Sequence, residues 1–225
     1  MYKQFSSIQR LDFLRERVEG RSVLHLGCTN HPYTHESIEK GTFLHKDIVE
    51  KASVTCGFDF DEEGLETLRA LGYTDLYRAD LEKLEDVGLD TTFDVIIAGE
   101  VIEHLKNPGS FLEGIKRFMH NGTELILTTV NAYAAFRFAA YALRGRGGVN
   151  EPVHPDHVFY FSYKTIKKLV ESAGFKETEF YFYDIGTEHR PTNRWYYNMI
   201  NDVAVKISPH LSDGVIIVCK LKNAP

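Results

Sequence analysis

Short apolar strands alternate with helical segments along the first 130 residues, and this alternation is what most restricts the fold. Strand-like runs occur at 22–27, 53–58, 75–79, 93–98 and 124–130. Helical segments separate them, for example the one that begins at Asp61 and ends at Gly72, and Asn121-Gly122 is a predicted turn before the fifth strand. Because a helix between two strands returns the chain in the same direction, the pattern predicts a parallel, doubly wound α/β sheet.

The second part of the chain departs from this rhythm. After residue 130 the predicted elements are a helix, a loop, a second helix and two strands, at 131–144, 145–161, 163–173, 175–183 and 214–221. A long polar and aromatic segment, 184–212, separates the two strands. A chain of 225 residues fits one large α/β domain, so we expect residues 1–225 to form a single domain.

Composition and charge argue against several classes of protein. The formal net charge of −6 disfavours general binding to nucleic acid or to anionic lipid. No run of 18 apolar residues occurs, so we expect no membrane span. Cys28, Cys56 and Cys219 are far apart in the sequence, which predicts reduced thiols in a cytoplasmic protein.

The first strand ends in the sequence Leu26-Gly27-Cys28, which predicts a tight turn. A glycine directly after a buried strand lets the backbone turn sharply, or lets a ligand approach it closely. In open α/β sheets, ligands bind in the crevice outside the carboxyl ends of the strands. We therefore expect a nucleotide-like cofactor to lie on this turn.

Two aspartates follow the next two strands of the chain. Asp59 ends the second predicted strand, where a carboxylate can accept hydrogen bonds from ribose hydroxyls. Asp80 ends the third, where a carboxylate can accept a hydrogen bond from an adenine amino group. Helix capping is the alternative role for both aspartates.

These positions belong to motifs that resemble those of the class I S-adenosylmethionine-dependent methyltransferases. The matching segments are 23–28, 57–61, 79–81, 93–105, 128–131 and 169–175. The most specific of them is Glu-Val-Ile-Glu-His-Leu at 100–105, directly after a strand that begins Phe-Asp-Val. The resemblance covers about residues 20–183 and implies a Rossmann-like, seven-stranded, mostly parallel sheet whose last strand is antiparallel.

The resemblance also implies a cofactor site and a substrate cover. The residues it assigns to S-adenosylmethionine are Leu26, Gly27, Cys28, Asp59, Phe60, Asp80, Leu81 and Glu100. The cover falls in segments 131–161 and 184–212, where arginines such as Arg137 lie among aromatic residues and suit an anionic or sugar-bearing substrate. A solvated basic surface is the alternative to such a substrate site.

Two positions depart from the family pattern. His25 stands where the family usually has an acid, and Thr29 stands where the family usually has a second glycine.

Glu100, Glu103 and His104 form a second group of candidate residues. If 100–105 is helical, spacings of three and four residues place them on one face, where with His157 they could bind a divalent metal ion. This pattern resembles that of the small-RNA terminal methyltransferases. In the alternative interpretation, Glu100 lies near the cofactor, Glu103 pairs with a basic group and His104 makes a local hydrogen bond.

His104 is also the candidate general base, because imidazole titrates near physiological pH and can accept a hydroxyl proton. The favoured hypothesis is methyl transfer from S-adenosylmethionine to an oxygen atom of a small molecule or glycan. A non-catalytic cofactor-binding or partner module is the first alternative, motivated by the departures at His25 and Thr29. A metal-dependent methyltransferase of RNA ends is the second, and the acidic net charge counts against it.

Overall fold

The computed structural model describes residues 7–144, 156–186, 190 and 193–222, and these contain one eight-stranded sheet. The strands are β1 (Ser7–Ile8), β2 (Ser22–Leu26), β3 (Val54–Asp59), β4 (Leu76–Arg78), β5 (Phe93–Gly99), β6 (Met119–Val130), β7 (Phe175–Tyr183) and β8 (Gly214–Leu221). Their order across the sheet is β1-β7-β8-β6-β5-β2-β3-β4. β8 runs antiparallel to both of its neighbours, and the other five pairs are parallel.

The doubly wound α/β prediction and its antiparallel last strand are confirmed, with one strand more than the seven expected. The additional strand, β1, has only two residues, too few for a periodic pattern to be visible in the sequence. It pairs in parallel with the end of β7 at the edge of the sheet.

Helices pack on both faces of the sheet. They are α1 (Arg10–Arg17), α2 (Thr34–Glu39), α3 (Leu44–Lys51), α4 (Glu62–Ala70), α5 (Pro108–Gly114), α6 (Ala135–Arg144), α7 (Tyr163–Ser172) and α8 (Trp195–Ile207). Local sequence explains several of their ends: α5 has a proline at its first position, and α7 begins with a capping box of Ser162 and Thr165. α8 lies within the segment 184–212, for which the sequence predicted no helix.

The core follows from the alternation of side chains along the central strands. On β2, Leu24 and Leu26 point to the face that α5 and α7 cover, whereas Val23 points to the face that α1 and α3 cover. All three side chains are fully buried. A strand buried on both faces is typical of the centre of a parallel sheet.

One turn prediction is wrong. β6 continues through Asn121-Gly122, because residues 119–130 form a single strand. Its pairing with β5 is irregular there: Phe93 pairs with Met119, but Val95 pairs with Glu124. Extra residues of β6 are therefore accommodated within the strand by a shift in register.

The topology brings the carboxyl ends of β5, β2, β3 and β4 to one edge of the sheet, next to one another. The predicted cofactor residues follow these strands, so they meet there. Among the described residues, no helix is long and apolar enough to cross a membrane.

Candidate active site

A cavity of about 1000 Å³ opens at this edge of the sheet. Six of the residues predicted to bind the cofactor line it: Gly27, Asp59, Phe60, Asp80, Leu81 and Glu100. Cys28 lines a smaller cavity of about 440 Å³ that adjoins it. Leu26 is fully buried and lines neither cavity.

Gly27 forms the tight turn that the sequence predicts. Its φ is +75°, a conformation that strongly favours glycine, and its amide donates a 2.9 Å hydrogen bond to the Phe58 carbonyl. A Cβ at position 27 would lie only 2.6 Å from Cγ2 of Val101, which also lines the large cavity. The bare backbone at Gly27 therefore accommodates the Val101 side chain, which packs directly against the turn.

Thr29 does not obstruct the cavity, although the resemblance implies a glycine near this position. Its side chain is fully buried and packs against Gly64 in α4, where an added Cβ would lie 2.8 Å from Cβ of Thr29. Thr29 stands in place of the second glycine of the turn, and Gly64 in the facing helix leaves the space that its side chain occupies.

Asp59 is held in place by its neighbours. Its Oδ2 accepts hydrogen bonds from the amide and the hydroxyl of Thr29, both at 2.9 Å, and its Oδ1 accepts one from the amide of Asp61 at 3.0 Å. An ionised carboxylate has about four acceptor positions, so these three bonds leave about one for a ligand hydroxyl. The side chain is fixed before any ligand binds.

The far end of the cavity carries an aromatic ring and a second carboxylate. Phe60 is 62% exposed and is covered on one side by the Arg78 guanidinium, 4.8 Å from the ring centroid. Oδ1 of Asp80 accepts a 3.0 Å hydrogen bond from the amide of Glu82, which stabilises a local turn at these residues. An exposed ring beside a carboxylate is a suitable surface for a nucleobase.

The segment 100–105 is a turn and not a helix, so the helical face on which the metal hypothesis is based does not form. Glu100 has a φ of +54°, and the amide of His104 donates a 3.0 Å hydrogen bond to the Val101 carbonyl. The next helix, α5, begins only at Pro108. The chain leaves β5 in an extended conformation, and Glu100, in the left-handed region, changes its direction directly after the strand.

This turn nevertheless groups three of the four predicted metal ligands. Glu103, His104 and His157 each offer a ligand atom, and these atoms lie within 4.8 Å of one another. The Glu103 carbonyl accepts hydrogen bonds from the amides of Val158 and Phe159, at 2.8 and 3.1 Å, which anchors the segment that carries His157. Glu100 does not join this group.

Glu103 is an unusual residue in this turn. Its side chain is fully buried, and neither carboxylate oxygen accepts a hydrogen bond of ordinary geometry from a described residue. Burial raises the pKa of Glu103, and the nearby Glu100 carboxylate raises it further, although the amides of Glu103 and Val130 and the Thr129 hydroxyl partly oppose this shift. The negative charge of a buried carboxylate is unfavourable unless the group is protonated or binds a cation.

Glu100 is oriented by two residues that the sequence analysis missed. Its Oε1 accepts a 2.7 Å hydrogen bond from the Tyr183 hydroxyl, and its Oε2 lies 4.0 Å from Nη2 of Arg10. Tyr183 ends β7 and Arg10 begins α1. The sequence carries no local signal for this meeting, because the three residues are far apart in the chain.

His25 forms a buried pair with His45, a third residue that the sequence analysis missed. The two Nδ1 atoms are 3.1 Å apart, and the rings are stacked. Burial is the main cause that lowers both pKa values, that of His45 to about 4. Both rings are therefore neutral at pH 7 and line the smaller cavity.

Two arginines of the predicted cover segments are paired with acids. Nη2 of Arg137 lies 3.1 Å from Oδ1 of Asp213, and Nη2 of Arg190 lies 2.9 Å from Oδ2 of Asp184. Trp195 is 73% exposed. Other predicted cover residues, Arg146, His154 and His189, lie outside the described residues.

The sequence matches the methyltransferase domain family over residues 5–179. It is 28% identical over 129 residues to a ubiquinone biosynthesis O-methyltransferase of Hahella chejuensis, which covers 54% of this chain and 49% of that protein. It is 26% identical over 164 residues to a Mycolicibacterium smegmatis protein named as an S-adenosylmethionine-dependent methyltransferase, covering 72% and 55%. The chain thus spans about half the length of these curated relatives.

The fold is shared with solved structures of the same class. A SAM-dependent methyltransferase from Archaeoglobus fulgidus superposes with a TM-score of 0.56 and is 16% identical in sequence. The match covers 93% of this chain and 94% of that one. At this level of identity the likeness concerns the fold alone.

Proposed function

Because this chain belongs to the methyltransferase domain family of S-adenosylmethionine-dependent enzymes, we propose that it transfers a methyl group to an oxygen atom of a small molecule or glycan. The observation that carries this proposal is the single cavity that joins Gly27, Asp59 and Asp80 to His104 and His157. Residues suited to the cofactor and residues suited to a reacting hydroxyl therefore line one space.

The residues of the cavity fit the cofactor that the family implies. The Gly27 turn lines the cavity with bare backbone, Asp59 retains an acceptor position for a ribose hydroxyl, and Phe60 offers a ring face for adenine. In this proposal Leu81 and Asp80 lie on the adenine side, and Cys28 contributes only its backbone. When bound, S-adenosylmethionine supplies an electrophilic methyl group on a cationic sulfur.

The proposed work of the protein is to align the acceptor and to take up its proton. As the acceptor oxygen forms its bond to the methyl carbon and the carbon–sulfur bond breaks, the hydroxyl proton passes to an imidazole nitrogen of His104. Alignment supplies much of the rate in such a transfer, because a well-oriented pair reacts as though at very high concentration. A positioned base typically adds a further 10²- to 10⁴-fold.

A divalent metal ion at Glu103, His104 and His157 is a second form of the proposal, in which His104 is a metal ligand and does not take up the proton. One carboxylate and two imidazoles suit a borderline ion such as Zn²⁺, Co²⁺ or Mn²⁺. The observation that favours it is the buried Glu103 carboxylate, whose oxygens have no ordinary hydrogen bond within the described part of the chain. A metal would stabilise its charge and would polarise an acceptor hydroxyl.

A non-catalytic cofactor-binding module and a metal-dependent methyltransferase of RNA ends are the two alternatives, and experiment distinguishes them from the proposal. Thr29 packs away from the cavity and His25 is neutral, so neither departure closes the cavity that a cofactor needs. The net charge of −6 still counts against a role at RNA ends.

The activity is tested with methyl-labelled S-adenosylmethionine and a panel of neutral, anionic and RNA hydroxyl acceptors. We expect label to pass to at least one small hydroxylated compound, and His104→Gln to reduce the rate by about 10²-fold or more. The matched control is His120→Gln, an exposed histidine outside the cavity. Cofactor binding without transfer to any acceptor would support a non-catalytic module, and transfer only to RNA would support the second alternative.

The metal is tested separately with the metal alone. We expect Co²⁺ to titrate into the purified protein with a visible absorption band, and Glu103→Gln to abolish that band while Glu82→Gln preserves it. Activity that falls in excess chelator and returns with a divalent ion would support the metal site. Unchanged activity in chelator would overturn it and would leave the metal-free mechanism.

A further inference from the structure

An apolar stripe runs along the exposed side of α8. Four side chains form it, and their spacing of four residues keeps neighbours together on one helical face. Their exposed fractions are 73% for Trp195, 52% for Met199, 55% for Val203 and 77% for Ile207. Single exposed apolar residues are common on protein surfaces, whereas a contiguous apolar patch typically marks an interaction site.

The opposite side of α8 attaches the helix to the protein. Tyr197 and Asn201 are buried there, and the Tyr197 ring meets the Phe136 ring of α6 edge to face, with the centroids 5.4 Å apart. Phe136 lines the large cavity, as does Asn193 shortly before α8. One side of α8 therefore adjoins the wall of the cavity, and the other side presents the apolar stripe.

The charged residues beside the stripe suit an anionic surface. Arg194 and Lys206 are exposed and lie at its two ends. Asp202 is the only acid in α8, and Nη2 of Arg190 lies 2.7 Å from its Oδ1. An anionic surface would therefore meet a cation at each end of the stripe, while the nearby carboxylate is paired. Because the formal net charge of the chain is −6, we expect such a surface to bind at this local site and not over the whole protein.

The size of the stripe argues against a second copy of the chain as its partner. At the usual areas of aromatic and aliphatic side chains, the exposed parts of the four residues offer roughly 200–400 Å² of apolar surface. A stable dimer buries about 800 Å² on each partner. A helix that lies in a bilayer interface needs only an apolar face with cations beside it, and tryptophan is enriched at such interfaces.

We propose that α8 is a membrane-docking helix that lies in the plane of an anionic bilayer. Its apolar stripe enters the boundary between headgroups and acyl chains, and Arg194 and Lys206 contact lipid phosphates. Docking of this kind holds the large cavity beside the bilayer. It is independent of the proposed methyl transfer, because no residue of the stripe lines either cavity.

The test uses the fluorescence of Trp195, the only tryptophan of the chain. The probe is a vesicle of three parts phosphatidylcholine to one part phosphatidylglycerol. We expect the vesicles to shift the emission of the wild-type protein to shorter wavelength and to protect it from quenching by acrylamide. Val203→Asp should weaken binding at least tenfold in co-sedimentation, because it places a charge in the apolar stripe. The matched control is Val49→Asp, at an exposed valine of α3, which should bind within about twofold of the wild type.

Lys206→Gln tests the charge complementarity. We expect this variant to bind the mixed vesicles about fivefold more weakly than the wild type, because one cation near an anionic surface is lost. Its binding to vesicles of phosphatidylcholine alone should be unchanged. Lys46→Gln, at an exposed lysine of α3, is the matched control.

Three outcomes would overturn the proposal. The first is a folded wild-type protein that neither sediments with the mixed vesicles nor shifts its emission. The second is equal binding by Val203→Asp and Val49→Asp. The third is a wild-type dimer in sedimentation equilibrium that Val203→Asp dissociates, without binding to vesicles, which would assign the stripe to a second copy. Thermal melting establishes that each variant is folded. None of these measurements needs the cofactor, so a failure of the methyl-transfer proposal is distinguishable from a failure of this one.

Discussion

Replacing Gly27 by alanine tests the turn on which the proposed cofactor site depends. The substitution places a Cβ at a φ of +75°, which costs roughly 1–2 kcal/mol, and brings it 2.6 Å from Cγ2 of Val101. Overpacking of this kind typically costs a further 1–3 kcal/mol. We therefore expect Gly27→Ala to lower the free energy of unfolding by about 2–5 kcal/mol and to weaken S-adenosylhomocysteine binding at least tenfold.

The chain offers a matched control for the backbone effect. Gly20 has a φ of +70°, and an added Cβ there would meet no atom within 4 Å, so Gly20→Ala should cost only the roughly 1–2 kcal/mol of the backbone. Urea denaturation measures both variants. In a Val101→Ala background, Gly27→Ala should cost less, because the clash is removed. If Gly27→Ala and Gly20→Ala agree within about 0.5 kcal/mol, or if Val101→Ala brings no relief, the packing argument is refuted.

Three further predictions concern buried polar residues. Thr29→Val removes the hydroxyl that donates to Asp59 and should lower the free energy of unfolding by about 1 kcal/mol in urea denaturation, whereas Thr29→Ser should retain most of it. His45→Gln should weaken the pH dependence of the free energy of unfolding. In the unfolded state the His45 ring binds a proton near pH 6.5, whereas the buried ring of the folded state binds one only near pH 4. The wild type therefore loses stability as pH falls through this range, by up to about 1.4 kcal/mol per pH unit. An equal slope in both proteins would contradict this account. Asn131→Ala removes the amide that donates to two backbone carbonyls, at 2.8 and 2.7 Å, and should cost about 2–4 kcal/mol by the same assay, while an unchanged midpoint would contradict it.

The sequence predicts most of the sheet because strands such as β5 and β8 are largely apolar runs, and β7 is rich in aromatic residues. β7 and β8 have the predicted bounds, Phe175–Tyr183 and Gly214–Leu221. Chain order then places the residues at the ends of β2, β3 and β4 at one edge, since parallel strands end on the same side. This is why Gly27, Asp59 and Asp80 meet around one cavity as expected.

Segment 100–105 shows where local reasoning fails. Glu-Val-Ile-Glu-His-Leu has helix-forming residues and the spacing of a helical face, but the segment lies between an extended strand and a proline that begins the next helix. The chain has to turn within it, and Glu100 adopts a left-handed conformation to do so. The grouping of Glu103 with His104 therefore comes from a turn and not from a helix.

The remaining site residues depend on tertiary contacts that no short motif encodes. Arg10, His45 and Tyr183 come from α1, α3 and β7, and each meets a residue far away in the chain. Thr29 is a similar case, because its compatibility with the turn depends on Gly64 in the facing helix. Sequence reading identifies such a departure from a family pattern, and only the packing shows what accommodates it.

Calorimetric titration of the wild-type protein with S-adenosylhomocysteine tests the central claim most directly. We expect one molecule to bind per chain, and Asp59→Ala to weaken that binding at least tenfold, since Asp59 lines the cavity and is held ready by Thr29 and Asp61. A folded protein that shows no heat of binding at millimolar ligand would contradict the account.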